Sequence, residues 1–310
     1  MRVIASLRYC ASVMVFPVRV AIVILLSSET KRSLYILNSE GGILASLVSF
    51  NFTAGRRLPV ILALHSGENI AQVFCFHSVG SGFALFYEML CHHLLRSLQV
   101  PTPELALVEI SEDSFRKEQL SYNKKHCKIG QLYLGSREVP NAELLQSIAI
   151  ISGKSDFNKL ANPYDLFRMA MFDLWVNNVD RGRNQNYNLL EQNTEEGIKF
   201  YAFDHAFCFG GVGMLRAFNP AHPIDTGDRL ITSLYFKSIL PYLDKQTCME
   251  IIDNFLTLSP DEIDNCIEAA FAGCPAQWAI PRSLLARSGE FLSDQGRINV
   301  IRNIMVQQLI

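Results

Sequence analysis

A helix that is apolar on nearly every face leads directly into a loop crowded with amide and carboxylate side chains. Residues 162–177 carry Leu, Phe, Met and Trp around the whole helical period, with Asn162 as the expected N-cap and Pro163 at the first helical position. Such a helix has to be buried, so it carries the following segment, NNVDRGRNQN, towards the interior. The β-prone runs YNLLE and IKFYAF then flank the polar turn QNTEEG, which predicts a hairpin.

That hairpin would bring distant polar residues together, because the start of its first strand lies beside the end of its second. We therefore expect Asp180 and Asn186 next to Asp204. Two carboxylates with one or two amide oxygens suit a hard cation such as Mg²⁺, and a phosphotransferase needs such a set. A structural alternative stays open, in which the aspartates satisfy backbone donors and Asn184 and Asn188 are capping residues.

The rest of the chain places strands first and helices later. Short β-prone runs occupy residues 33–38, 44–50, 59–65 and 70–77, and they predict a small antiparallel sheet. A helix is predicted at 82–98 and a strand in VPTPELALVEI. Further helices are predicted at 162–177, 228–243 and 244–258, with two more after Pro260 and Pro281. This order indicates an α+β fold.

Composition excludes several classes of protein. With 310 residues, 49% apolar and 19% charged, the chain is globular rather than disordered or a coiled coil. A formal charge of −2 gives no general attraction to nucleic acid, so direct nucleic-acid binding is not expected. The basic stretch 116–128 reads as a solvated loop or as a docking patch for an acidic partner. The eight cysteines form no CxxC pair, which favours a reduced, cytoplasmic location and gives no support to a zinc site.

The N-terminal segment, residues 1–30, is apolar but ambiguous. Pro17 and Arg19 interrupt it, and the uncharged run 20–28 is far shorter than the roughly 20 residues that cross a bilayer. It also lacks a clear cleavage site of small residues. A membrane or export role is therefore disfavoured but left open, beside a buried strand and a leader outside the folded domain.

The polar loop and the second strand resemble a known family. NNVDRGRNQNYNLL followed by FYAFDHAFCFGG closely resembles the catalytic loop and metal-binding segment of HipA-like kinases, a bacterial branch of the protein-kinase-like fold related to type II phosphatidylinositol 4-kinases. Stretches between residues 50 and 300 share the resemblance. It implies a two-lobed α+β fold, with a small antiparallel-sheet N-lobe at 31–110 and a helical C-lobe at 111–310 that carries the catalytic and metal-binding loops. ATP and Mg²⁺ would bind between the lobes.

The resemblance assigns roles to individual residues. Asp180 matches the catalytic aspartate, Asn186 the metal-binding asparagine and Asp204 the aspartate of the metal-binding segment. Kinases usually place the asparagine five positions after the catalytic aspartate, where Gln185 stands here, so the match requires a one-residue insertion. Glu88 matches the helix glutamate that pairs with the phosphate-binding lysine.

One substitution departs from the family pattern. Cys75 stands where the family has that lysine, and a thiol cannot clamp phosphates as an ammonium does. His77 lies two positions further along the same strand and would share its face with Cys75. His77, Arg56 or Arg57 could replace the lysine as the phosphate-binding cation. The sequence does not decide among them.

The turn before the predicted helix at 82–98 is a further candidate for nucleotide binding. SVGSG, which contains Ser81 and Gly82, weakly resembles a phosphate-cradling loop. Gly and Ser are also ordinary residues of a strand-to-helix turn. Glu88 similarly has a structural alternative, as a solvent-facing helix residue.

Two function hypotheses follow, and a third is less favoured. The first is a serine/threonine kinase of proteins that uses ATP and Mg²⁺, with Asp180 as the base and Asn186 and Asp204 on the metal. The second is a pseudokinase, a nucleotide- or protein-binding regulatory module that has lost turnover with the lysine. The third is a metal-dependent hydrolase. The family resemblance also implies a bacterial toxin–antitoxin setting with an antitoxin-like partner; the protein substrate is not identified.

Overall fold

The chain forms two compact units. The computed structural model describes residues 17–20, 23–24, 34–37, 43–46, 58–63, 70–75, 81–110, 132–137, 139–145, 151–182, 187–210, 218–221, 223–227 and 229–310. The smaller unit comprises Met1–Ser81, Glu104–Glu138 and Pro275–Gln277, and the larger comprises Gly82–Pro103, Val139–Cys274 and Trp278–Ile310. The mixture of sheets and helices confirms the α+β class.

The described strands of the smaller unit form two sheets. Its strands are β1 (Pro17–Val20), β2 (Val23–Ile24), β3 (Leu34–Leu37), β4 (Ile43–Ser46), β5 (Leu58–Ala63), β6 (Ile70–Cys75), β7 (Leu105–Ile110) and β8 (Leu132–Arg137). One sheet has the order β1-β7-β8-β6-β5 and the other the order β2-β3-β4. The β5–β6 hairpin is antiparallel as predicted, but β1 runs parallel to β7. The predicted single antiparallel sheet is therefore wrong in this detail, since β3 and β4 pair with β2 instead of joining β5.

The α-helices among the described residues lie in the larger unit, together with a third sheet. Its helices are α1 (Ser81–Ser97, from Gly82 onwards), α2 (Lys154–Phe157), α3 (Pro163–Trp175), α4 (Leu234–Ile239), α5 (Lys245–Phe255), α6 (Pro260–Gly273), α7 (Arg282–Ser293) and α8 (Gln295–Gln307). Its strands are β9 (Ala142–Leu144), β10 (Leu189–Thr194) and β11 (Gly197–Ala202). The α1 helix, which the sequence assigned to the N-lobe, groups with this unit because its aromatic side chains pack there: the Tyr87 ring lies 5.0 Å from that of Phe209 and 5.6 Å from that of Phe218.

The α3 helix is the buried helix that the apolar pattern predicts. Ten of its thirteen residues are buried. It begins after Asn162 with Pro163 at its first turn, as predicted. At its other end, the buried guanidinium of Arg297 donates to the carbonyls of Leu174 and Trp175. A cation there satisfies the terminal carbonyls and complements the helix dipole.

The single helix predicted for residues 228–243 is wrong. The chain forms a 3₁₀ turn at Leu230–Thr232, then α4, then a second 3₁₀ turn at Leu240–Tyr242. Ser233 interrupts the helix because its backbone is extended, and its Oγ accepts a hydrogen bond from the N–H of Phe236 at 3.1 Å. A serine that caps the next helix in this way competes with helix continuation.

The predicted hairpin is confirmed as β10 and β11. The two strands are antiparallel, and Leu189 at the start of β10 stands opposite Ala202 at the end of β11. Strand β9 adds to the free edge of β10. The residues just before β10 and just after β11 are therefore neighbours, as the sequence pattern requires.

Among the described residues, no helix is both long and apolar enough to cross a bilayer.

Candidate active site

The two segments that the sequence predicts to be a catalytic loop and a metal-binding segment lie side by side in the larger unit. The N–H of Phe209 donates to the carbonyl of Val176 at 2.6 Å, and the N–H of Val179 donates to the carbonyl of Phe207 at 3.4 Å. These backbone bonds hold the loop after α3 against the turn after β11. They place Asp180 and Asp204 in two adjoining stretches.

Asn188 connects the two predicted aspartates. Its side-chain Nδ2 donates to Asp180 Oδ2 at 3.2 Å, while its backbone carbonyl accepts the N–H of Phe203 at 3.2 Å. Asn188 is buried, with a left-handed backbone at φ 45°. Asn188 therefore has a structural contact of its own, because its amide orients the carboxylate of Asp180.

The two aspartates differ in their surroundings. Asp204 is 7% exposed and has a left-handed backbone at φ 58°. Asp180 is only partly buried, and its N–H donates to the side-chain oxygen of Asn178 at 3.1 Å. The more exposed carboxylate is thus the one that the resemblance assigns to the acceptor, and the more enclosed carboxylate is the one assigned to the metal.

Arg181, directly after the predicted catalytic aspartate, lies at the centre of the site and is fully buried. Its Nε contacts both carboxylate oxygens of Asp173, at 3.0 and 2.8 Å. Its two Nη atoms donate to the carbonyls of Tyr187, Asn188 and Phe203 and to His205 Nε2. One guanidinium therefore ties the end of α3, the start of β10 and the end of β11 together.

Glu88 reaches from α1 to the turn after β11, the predicted metal-binding segment. Its Oε1 accepts the N–H of His205 at 2.7 Å, and its Oε2 lies 3.6 Å from His205 Nδ1. Glu88 is 6% exposed, so its alternative reading as a solvent-facing residue is wrong. The carboxylate instead contacts the residue that follows Asp204.

His205 is held neutral between these groups. Burial, and after it the nearby Arg181 guanidinium, lower the pKa of its imidazole to about 3. An uncharged ring accepts from a cation at one nitrogen and carries its proton on the other.

Two glycines of the site are required by close backbone approaches. A Cβ on Gly182, whose φ is +97°, would lie 2.6 Å from the backbone carbon of Arg229. A Cβ on Gly82 would lie 2.3 Å from the carbonyl oxygen of Trp278. A side chain at either position would clash with fixed backbone. Packing against Trp278 thus explains why a glycine stands at position 82, independently of the predicted contact with nucleotide.

The structure does not describe the side chains of several predicted site residues. Asn184, Asn186, His77 and Arg57 lie outside the described residues. The backbone of Cys75 ends strand β6, opposite Leu58, and Ser81 is the first residue of α1. Their proposed roles therefore stay predictions.

Sequence reasoning missed three residues that organise the site: Asp173, Arg181 and His205. Two of them stand directly beside predicted site residues, Arg181 after Asp180 and His205 after Asp204. A charged or imidazole side chain in or beside a segment predicted to be buried marks each of them as a candidate, because such groups are seldom buried without partners, but the sequence does not show where the side chain points.

A family model and several solved structures are similar to this chain. Residues 79–260, more than half of the chain, match the family model described as HipA-like kinase. No curated protein shows significant similarity to the chain. Among the solved structures that resemble the chain, two illustrate the low sequence identity. A proinflammatory kinase of Helicobacter pylori, CtkA, shares 11% identity over 84% of this chain and 93% of that chain, with a TM-score of 0.40. HipA of Shewanella oneidensis MR-1, solved with HipB and its operator DNA, shares 12% identity over 90% of this chain and 67% of that chain, also with a TM-score of 0.40.

Proposed function

Because the chain belongs to the HipA-like kinase family, we propose that it transfers the γ-phosphoryl group of ATP to a serine or threonine hydroxyl of a protein in a Mg²⁺-dependent reaction. The observation that carries this proposal is the joining of the Asp180 and Asp204 segments through Asn188 and Arg181. The proposal includes an acceptor protein, which is not identified, and an antitoxin-like partner, as the family implies.

The proposed magnesium site would be completed by the substrate. Among the described residues, no group of three or more His, Cys, Asp or Glu side chains could hold a metal ion. Mg²⁺ in nucleotide sites needs only one or two carboxylates, since phosphates and waters fill its other positions. Asp204 and Asn186 would hold the metal in this proposal, and bound Mg²⁺·ATP would supply the phosphoryl group with its charge partly neutralised.

The protein's own groups have separate tasks in this scheme. Asp180 would orient the acceptor hydroxyl and take its proton, with its own carboxylate fixed by the amide of Asn188. Ser81 and Gly82 would lie against phosphate at the start of α1, where the first backbone N–H groups of a helix lack helical partners.

The metal role of Asp204 can be tested by an isosteric change. Asp204→Asn should abolish the Mg²⁺-dependent part of nucleotide stabilisation while the fold persists, because the amide removes the negative charge that the cation needs. At about 100 times Kd, a bound ligand adds roughly 2.7 kcal/mol, which a thermal melt with ATP and Mg²⁺ detects easily. Asp264→Asn, on the exposed face of α6, is the matched control. An unchanged melting shift in Asp204→Asn would remove Asp204 from the metal site.

The replacement of the family lysine by Cys75 favours a second candidate, the pseudokinase. In that case the wild type binds nucleotide or protein without transferring phosphate, and the protein acts as a regulatory binding module. The active-kinase proposal instead requires a relocated cation from His77 or Arg57. Leu58 stands opposite Cys75, and Arg57 precedes Leu58 in sequence.

Cys75→Lys separates the two candidates by the sign of its effect. For an active kinase, we expect the new lysine to be neutral or harmful, because two cations in one phosphate site repel each other. His77→Ala or Arg57→Ala should then weaken ATP binding about tenfold, the loss of one charge-assisted hydrogen bond. For a pseudokinase, Cys75→Lys should tighten Mg²⁺·ATP binding and create transfer. Titration calorimetry and radiolabelled transfer measure both; no change in any variant would contradict this placement of the nucleotide.

A further inference from the structure

The backbone of Asp204 adopts a conformation that needs support. Its φ of 58° lies in the left-handed region, which residues other than glycine occupy at a cost, although aspartate tolerates it better than most. Such a conformation persists when the surrounding structure fixes it. The groups that hold the backbone on either side of Asp204 therefore decide where its carboxylate lies.

Both neighbours of Asp204 are fixed by hydrogen bonds. Before it, the N–H of Phe203 donates to the carbonyl of Asn188, and the carbonyl of Phe203 accepts from Arg181 Nη2 at 3.3 Å. After it, the N–H of His205 donates to Glu88 Oε1 at 2.7 Å. The backbone on each side of Asp204 is thus held by a buried charged side chain.

The imidazole of His205 joins these two charged groups. Arginine can only donate, so the 2.9 Å contact between Arg181 Nη2 and His205 Nε2 makes Nε2 the acceptor. The ring proton then lies on Nδ1, which faces Glu88 Oε2 at 3.6 Å. That distance is too long for a direct hydrogen bond. The ring nevertheless turns its acceptor nitrogen to the Arg181 cation and its N–H side to the Glu88 carboxylate.

We propose that Glu88 and Arg181 are positioning residues that hold Asp204 in its left-handed conformation through His205. Glu88 then positions the proposed metal-binding segment through its hydrogen bond to the N–H of His205. This role does not depend on whether Glu88 also faces a phosphate-binding cation. The value of this arrangement for metal binding rests on the proposed function, whereas the positioning itself is a property of the protein without ligands.

The positioning role can be tested without nucleotide by the exchange of the His205 amide. Labelling histidine alone with ¹⁵N gives few signals, because the chain has seven histidines, and His205→Gln identifies the signal of residue 205. Three variants separate reach from charge: Glu88→Gln keeps the reach and loses the charge, Glu88→Asp keeps the charge and shortens the reach, and Glu88→Ala loses both. Glu290→Ala, on the exposed face of α7, is the control.

We expect the His205 amide to exchange about tenfold faster or more in Glu88→Asp and Glu88→Ala, since each loses a hydrogen bond to a charged acceptor. In Glu88→Gln, protection should stay within about threefold of the wild type, because the amide oxygen can still accept from a backbone N–H. If Glu88→Ala fails to fold, Glu88→Asp against Glu88→Gln still decides the result.

The proposal is overturned if Glu88→Asp protects the amide as the wild type does and Glu88→Gln does not, because charge rather than reach would then matter. Unchanged exchange in all three variants would overturn it as well. A thermal melt of the wild type with ATP and Mg²⁺ is a separate measurement. The absence of a melting shift there would refute the proposed kinase function and leave the exchange result to stand on its own.

Discussion

Replacing Arg181 by methionine is expected to lower the free energy of unfolding by about 3–5 kcal/mol, because it leaves the buried carboxylate of Asp173 without its cation. The carbonyls of Tyr187, Asn188 and Phe203 lose a donor in the same change. Urea denaturation followed by circular dichroism measures the loss. No other single change discussed for this protein is expected to affect stability as strongly.

The comparison for Arg181→Met is Arg302→Met, which breaks the ion pair with Asp253. Those two side chains are 42% and 50% exposed, so this loss should stay within about 1 kcal/mol. The double variant Asp173→Asn/Arg181→Met should recover part of the stability of Arg181→Met, because the stranded charge is removed. Similar losses for Arg181→Met and Arg302→Met would show that the buried guanidinium is not the centre of the site.

Asp180→Asn is expected to reduce phosphoryl transfer by about 10²–10⁴-fold, the usual contribution of a general base, with nucleotide affinity nearly unchanged. The amide oxygen of the new side chain can still accept from Asn188 Nδ2, so the loop keeps its hydrogen bond while the proton acceptor is lost. Asp180→Ala should also lose transfer and retain ATP binding. Radiolabelled transfer and calorimetry on the same preparations separate rate from binding.

The control for Asp180→Asn is Asp264→Asn, a surface carboxylate on α6, which should leave both quantities unchanged. Loss of transfer together with loss of ATP binding and of the melting transition would instead identify Asp180 as a capping residue. Full transfer in Asp180→Asn would exclude Asp180 as the base.

The sequence by itself determined the parts of the protein that depend on local patterns. The burial of α3 follows from apolar residues on every face, and the register of β10 and β11 follows from a short polar turn between two β-prone runs. Together these place Asp180 and Asp204 in adjoining stretches, and the family resemblance over the same residues agrees with the family match at 79–260. The break at Ser233 was missed because a capping serine inside an apolar pattern looks locally like a helix residue.

Only the tertiary structure decided how the site is held. Glu88 and His205 are 117 positions apart, and no spacing rule predicts that a carboxylate on α1 accepts the N–H beside Asp204. Nor does sequence pattern predict that Arg181 turns inwards to Asp173 and His205, since an arginine in a polar loop usually faces solvent. Local periodicity specifies which segments are buried, but the partner of a buried charge is fixed by packing between segments distant in sequence, because a buried charge is tolerated only where it is paired.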